Sequence, residues 1–348
     1  MAYTTIDDPA IYFNTVVYTG NDSTQSITGV GFQPDLVWGK NRATATHHAW
    51  QDSVRGNTKV IKSSKTDAET TITNMVTSFD SDGFSLGSDS DMNEGSGKSM
   101  VAWNWKAGTS FTNDASSTGI GSIDSTGSVN DTAGFSIVSY TGTGSNGTIK
   151  HGLSTAPTMI IAKNRSATSS WPIFNINIGN ANGLFLNSTS AASSEAAFWN
   201  STAPTSSVFS VGSSGDTNGS SNAQIAYCFA EKQGYSKFGS YKGNENNGDG
   251  TFVYTGFSPA FIMVKNTERA QNWSIHNNKM PGYNQINERL QANLADAVST
   301  NNPVDLLSNG FKWRSNDGDT NGYTHNHIYM AFAHQPFVTS TGVPATAR

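Results

Sequence analysis

"QPDLVWGKNR" at 33–42 has two echoes farther along the chain, "APTMIIAKNR" at 156–165 and "SPAFIMVKNT" at 258–267. Each sets a proline six residues before a lysine that is followed by asparagine. Upstream of each lies an aromatic-x-glycine turn: Tyr18-Thr19-Gly20, Tyr140-Thr141-Gly142 and Tyr241-Lys242-Gly243. Downstream of each lies a tryptophan: Trp50, Trp171 and Trp273. Pro157/Pro259, Lys163/Lys265, Trp171/Trp273 and Phe209/Phe311 all differ by 102, so the second and third copies share one frame. The first copy is looser, with Pro34 and Pro157 separated by 123. Self-similarity at a fixed spacing is the signature of a repeated structural unit.

Late in each unit comes a D-x-N triplet: Asp91-Met92-Asn93, Asp216-Thr217-Asn218 and Asp319-Thr320-Asn321. A closing strand of alanine then aromatic follows, Ala102-Trp103, Ala226-Tyr227 and Ala331-Phe332. These landmarks place the units at 1–108, 134–233 and 234–338, with a tail at 339–348. The intervening 109–133 is rich in Ser, Thr and Gly and reads as a semi-flexible linker.

The local signals are β. "NTVVYTG" and "FSIVSYTG" are β-branched and aromatic runs that end at a glycine turn. "LVW", "MII" and "FIM" are unbroken apolar runs, as expected of strands covered on both faces. The D-x-N triplets suit Asx-turns between strands. In "INERLQANLADAV", Ile286, Leu290, Leu294 and Val298 recur every four residues, which predicts a short helix beside a strand there. The fold class expected is all-β: three tandem antiparallel sandwiches, jelly-roll-like.

Composition narrows the function. Only 14% of residues are charged, 11% are aromatic and the net charge is −5. No Lys/Arg cluster offers the basic footprint of a nucleic-acid binder. No apolar run approaches a membrane span, so no membrane insertion is expected. The single Cys228 allows no internal disulfide, and MAYTTIDDPA has neither the basic nor the apolar region of a secretion signal.

Several spellings of chemistry occur. Gly83-Phe84-Ser85-Leu86-Gly87 is a literal G-x-S-x-G. It aligns with "VFSVG" and "GFKWR" in the other units, where Ser85 becomes Ser210 and Lys312, so a strand residue is the better reading. Gly142 to Gly147 spells G-x-G-x-x-G but precedes no helical sequence. His325 and His327 have the two-residue spacing of some zinc ligands, without a third or fourth ligand. Asp80, Asp82, Asp89, Asp91 and Glu94 form an acidic group; turn chemistry outranks calcium for it. No catalytic residue, metal or cofactor is expected. The candidate ligand-facing residues are His47, His48, Trp50, Arg55, Trp171, Trp273 and His276, although a Trp recurring at one position is more simply a core residue.

"GFQPDLVWGKNR", "SFDSDGFSLG", "MVAWNWKAG", "GFSIVSYTGTGSNGTIKHGLSTAPTMIIAKNR" and "IAYCFAEKQGYSKFGSYKGN" resemble tandem repeats from virion proteins of marine tailed bacteriophages, similar to concanavalin-like or laminin-G-like jelly rolls. The resemblance covers nearly the whole chain and carries no catalytic residue with it. The third unit departs most, with Thr267 in place of Arg and a polar insertion around 278–303. The resemblance implies a non-catalytic particle protein, of tail-fibre, adhesin or head-decoration type, assembled in a host bacterial cytoplasm. Its implied partners are other virion proteins, further copies of itself (a trimer being one form) and cell-surface carbohydrate. A non-viral carbohydrate-binding module or lectin is the alternative.

Overall fold

The computed structural model describes residues 2–95, 97–280 and 284–346. Its six sheets fall into three pairs, one pair from each sequence unit, and every pairing between named strands is antiparallel. In the first unit the large sheet runs Phe13–Thr19, Ser99–Trp105, Leu36–Asn41, Ala49–Asp52, Lys59–Lys62, Thr70–Thr71. The small sheet runs Gln25–Ile27, Gly83–Leu86, Val76–Asp80. The third unit repeats this order, among the described residues without the last strand of the large sheet, from Ser236–Lys242 and Asn326–Pro336 to Leu290–Gln291. The second has a two-stranded small sheet, Gly147–Lys150 and Val208–Val211, and keeps the large-sheet order with two strands added.

Those two strands come from the stretch expected to be a linker. Thr109–Asn113 and Ser125–Asn130 pair with each other, and Ser125–Asn130 pairs with Phe135–Thr141. A helical turn at Ala115–Thr118, capped by the Asp114 carboxylate, joins them. Small polar residues here make an edge-strand surface rather than a flexible coil. The expected helix is also absent. Leu290 lies on a two-residue strand against Ile275, and Ile286 bridges Val304. The spacing of four reflects successive returns of the chain to the core. Residues 281–283 of the expected insertion lie outside the described residues.

The Pro-to-Lys strands are apolar throughout because both faces are covered. Leu36 and Trp38 face one core while Val37 faces another. Met159 and Ile161 oppose Ile160 and Ala162 in the same way, and Phe261 and Met263 oppose Ile262 and Val264. The outward face of each large sheet packs on its own small sheet, giving three separate outer cores. The inward faces of all three large sheets meet in one central core. At its centre sit Trp105, Phe229 and Phe332, which occupy the same register position, opposite Leu36, Met159 and Phe261. Their ring centroids form a triangle: 6.4 Å from Trp105 to Phe229, 5.6 Å from Trp105 to Phe332 and 6.1 Å from Phe229 to Phe332.

This register shifts the third closing strand by two residues from its sequence alignment. Gly39, Ala162 and Val264 pair with Ala102, Ala226 and Tyr329, so Tyr329 takes the alanine position that the sequence gives to Ala331.

The three units form a closed ring within one chain. The Glu69 N–H donates to the Arg165 carbonyl at 2.9 Å, Ala192 N–H to Thr267 at 2.8 Å, and Val298 N–H to Arg42 at 2.9 Å. Arg42, Arg165 and Thr267 are equivalent positions, directly after the Lys-Asn pair. Each contact is heterologous, and the third returns to the first unit, so the rotation closes.

Candidate functional site

The residues proposed from sequence to face a ligand lie almost entirely inside the ring. Trp50, Trp171 and Trp273 are buried, at 1%, 0% and 1% exposure. A ligand platform at these three positions is therefore ruled out: all three lie in the central core, where Trp50 meets Trp171 at 5.4 Å and Tyr227 at 5.0 Å. The Trp171 indole donates to the Lys65 carbonyl at 3.0 Å and the Trp273 indole to the Phe185 carbonyl at 2.9 Å, each reaching the preceding unit.

The three tryptophans are also not one slot. Trp38 pairs with Trp50, Ile161 with Ile173 and Met263 with Ile275, so Trp50 matches the two isoleucines. The position of Trp171 and Trp273 is held by His48 in the first unit. The backbone agrees: Ser63, Leu186 and Ala292 donate to the carbonyls of His48, Trp171 and Trp273. Trp38, across the pair, supplies the missing ring volume, and its indole donates to His48 Nδ1 at 2.9 Å. Residues two apart on a strand share a face, so the sequence showed the right polarity with an offset of two.

His276 is also fully buried, beside Trp313. Burial holds its pKa down at about 3, with Arg289 adding to the effect. Burial likewise holds His151 and His327 at about 4 and pushes His48 well below its ordinary value. The half-buried His47 lies against Ser64 Oγ at 2.9 Å.

These imidazoles predict an acid response. In the unfolded chain they take up protons near pH 6.5, whereas the folded chain resists until about pH 3–4. The unfolded state thus binds more protons across that window, and stability falls as pH drops from about 6.5 toward 4. Urea midpoints measured from pH 7 to pH 4 should decline steadily, and a flat profile would refute the burial of neutral histidines.

Arg55 belongs to an ionic cluster between the first and second units. Its Nε donates to Asp52 Oδ2 at 2.5 Å, and its Nη1 to Glu69 Oε2 at 3.1 Å. Tyr227 of the second unit donates to Asp52 Oδ2 at 2.7 Å. Arg165 grips both Glu69 oxygens, at 2.8 and 2.9 Å. Burial opposes the Arg55 charge, but Asp52, Tyr227 and Glu69 outweigh it and raise its pKa. Every donor here is answered, so the cluster acts as a clamp between units.

The recurring polar landmarks are structural as well. Lys40, Lys163 and Lys265 are fully buried, and burial lowers the pKa of each to about 8. Lys163 Nζ donates to the Thr66 carbonyl at 3.0 Å and Lys265 Nζ to Thr189 at 3.0 Å, again across unit boundaries. Asn93, Asn218 and Asn321 are buried and staple the D-x-N turn to the loop after the first strand. Asn218 shows the pattern: its Oδ1 accepts from Thr143 N–H at 2.7 Å, and its Nδ2 donates to the Ser145 and Gly212 carbonyls at 2.6 and 2.7 Å. These turns form one-turn helices at Ser90–Asn93 and Gly215–Asn218.

Ser85 lies on strand Gly83–Leu86, and its Oγ donates to Asp80 Oδ2 at 2.7 Å, with Ser26 Oγ at 3.1 Å. No histidine base is among its hydrogen-bond partners, so nothing there activates a nucleophile. Ser85→Ala is expected to lower stability by about 1 kcal/mol or less, since it removes one partly exposed hydrogen bond; a thermal melt checks this. Gly142 to Gly147 forms the turn between the two sheets of the second unit. His327 stacks on Tyr241 at 5.1 Å while His325 stacks on Tyr323 at 5.4 Å, so the two rings do not converge. The acidic residues disperse: Asp82 accepts from the Gly29 and Gly31 N–H groups, Asp91 pairs with Lys62, and Glu94 accepts from Asn41 and Thr44. Among the described residues no cluster of His, Cys, Asp or Glu could hold a metal, and no helix is long and apolar enough to cross a membrane.

One surface breaks the three-fold pattern. Strand Phe252–Tyr254 turns Val253 inward and leaves Phe252 and Tyr254 43% and 48% exposed. Lys237 Nζ lies 5.6 Å from the Tyr254 ring centre. Phe252 sits opposite Lys312, which bonds Asp249 at 2.5 Å. The equivalent pairs in the other units are Ser26 opposite Ser85 and Thr148 opposite Ser210. At this pair the third unit thus shows an aromatic ring and a cation where the others show hydroxyls. A local signal existed in "TFVYT", whose apolar-out alternation was hidden by the strand's overall hydrophobicity.

The chain matches the family described as Domain of unknown function (DUF7483) over residues 8–336, and it belongs to that family. No curated protein and no solved structure matches it.

Proposed function

We propose that this DUF7483 protein is a non-catalytic structural component of a bacteriophage particle, of the tail-fibre, adhesin or head-decoration kind. The observation that carries the reading is the assignment of the repeated polar landmarks to scaffold: Lys163 and Lys265 bond across unit boundaries, the asparagines staple the D-x-N turns, and the Tyr18, Tyr140 and Tyr241 hydroxyls donate to the Met92, Thr217 and Thr320 carbonyls of those same turns. A rigid, hydroxyl-rich body with its repeat interface closed inside one chain suits a particle surface, where it meets other virion proteins through its outer faces. Assembly takes place in the host bacterial cytoplasm. Mass spectrometry and immunogold labelling of purified virions test this; the protein is expected on the particle, and its absence there refutes the reading.

Within that role, the Phe252–Tyr254 face binds host-surface glycan. Exposed aromatic rings stack on the apolar faces of sugars, and the flanking Lys237, Lys312 and Asp249 supply hydrogen bonds. The same face supports the second reading, a non-viral lectin. Tyr254→Ala is expected to weaken glycan-array binding at least about tenfold while leaving stability within about 0.5 kcal/mol, as usual for an exposed position. Unchanged binding in the variant removes glycan from this face.

A further inference from the structure

The second unit closes a seam that the first leaves open. In the second unit, strand Phe135–Thr141 is paired on both sides, by Ala223–Phe229 and by Ser125–Asn130. Directly before Ser125–Asn130, Ile123 is 6% exposed and packs between the two sheets with Val138, Tyr140 and Ile149. It bridges Ile149, while Ser122 and Thr148 exchange hydrogen bonds at 2.8 and 2.9 Å. Gly147 makes room: a Cβ there would lie 2.6 Å from Ile123 Cδ1.

The equivalent strand of the first unit, Phe13–Thr19, is among the described residues an edge strand, paired only with Ser99–Trp105. Its seam is a cleft of about 480 Å³, lined by residues 14–19 and 25–29, with Lys279 of the third unit on the rim. Val16, Tyr18 and Ile27 are part of the outer core beneath it, and Val17 is 38% exposed. Long polar side chains guard the edge. Asn14 Nδ2 donates to the Val30 carbonyl at 3.1 Å, and Gln25 Nε2 donates to the Thr19 carbonyl at 3.1 Å. The second unit has Ser136 and Gly147 at those two positions. Edge strands blunted by their own side chains are protected against uncontrolled pairing. The third unit fills its seam from within: Gly239 replaces Val16, and a Cβ there would meet the Tyr329 hydroxyl at 2.6 Å.

We infer that the seam of the first unit is a docking site for an extended strand of a partner protein, with one aliphatic side chain seated between the two sheets and a Ser/Thr/Gly-rich run pairing along Phe13–Thr19. The occupant's chemistry is read from the chain itself, which places "IDSTGSV" on the equivalent edge of its second unit. Main-chain pairing supplies affinity, and the aliphatic plug supplies selectivity. This site is separate from the Phe252–Tyr254 face and stands whether or not that face binds glycan.

The probe is a fluorescein-labelled peptide of residues 120–131, IGSIDSTGSVND, titrated into the intact protein. Saturable one-to-one binding is expected below about 1 mM, weakened at least roughly tenfold when the peptide carries Ile123→Asp, the scale of one buried aliphatic side chain. Hydrogen exchange should slow within residues 13–19. Asn14→Ser with Gln25→Gly in the protein, which copies the second unit, should tighten binding about threefold or more. Three results would each overturn the inference: no saturable binding to either protein, binding indifferent to Ile123→Asp, or protection confined to another strand.

Discussion

Phe332→Ala is expected to cost about 3–5 kcal/mol, the range for truncating a large core aromatic. The loss should appear at once in all three units. Phe332 touches Phe13 at 4.8 Å and Trp105 at 5.6 Å in the first unit, Phe229 at 6.1 Å in the second, and Phe238 and Phe261 in its own. The cavity would open where the three inward faces meet, so no unit could relax into it without dragging the others. A domain is stable by only about 5–15 kcal/mol, so this single change removes a large share. Urea unfolding followed by tryptophan emission, which senses buried indoles in all three units, and separately by exchange in strands 101–105, 225–229 and 328–332 checks it. Both readouts should shift to one lower midpoint.

The second large effect is conditional. Arg55→Met alone is expected to destabilise by about 3–5 kcal/mol, because it leaves the Asp52 carboxylate buried without its cation. Asp52→Asn combined with Arg55→Met should recover most of that loss. The reason lies in the third unit, where the same two positions hold Asn277 and Met280, both buried. Asn277 Oδ1 accepts from the Lys279 and Met280 N–H groups, as Asp52 Oδ1 accepts from Val54 and Arg55. The local backbone is thus compatible with either pair, and Glu69 keeps its two-pronged contact with Arg165. A double-mutant cycle by equilibrium unfolding measures the coupling. Additive losses would show that the charge pair is not the reason these positions differ.

The all-β sandwich character was legible because each unit spells it locally: alternating runs, glycine turns and apolar strands covered on both faces. The shared core was not. A residue such as Ile161 reads as interior whichever sheet covers it, and sequence does not say whether the second covering layer is the same unit or its neighbour. The extra strands at 109–130 were missed because Ser, Thr and Gly suit an edge strand as well as a coil. The candidate site failed for a related reason. Trp50, Trp171 and Trp273 look like a ligand set when read as one slot, and only the strand register shows His48 standing in line with the latter two. The Phe252–Tyr254 surface went unnoticed because an exposed aromatic on a strand is spelled like a buried one.

Three sandwiches share one core and therefore stand or fall together. Native-state hydrogen exchange in rising urea tests this most directly, read in the closing strands Ser99–Trp105, Ala223–Phe229 and Asn326–Pro336. The slowest amides of all three strands should open with one common free energy and one common urea dependence. Three separate opening free energies, or a fragment of residues 134–233 that folds alone with full protection, would contradict the shared core.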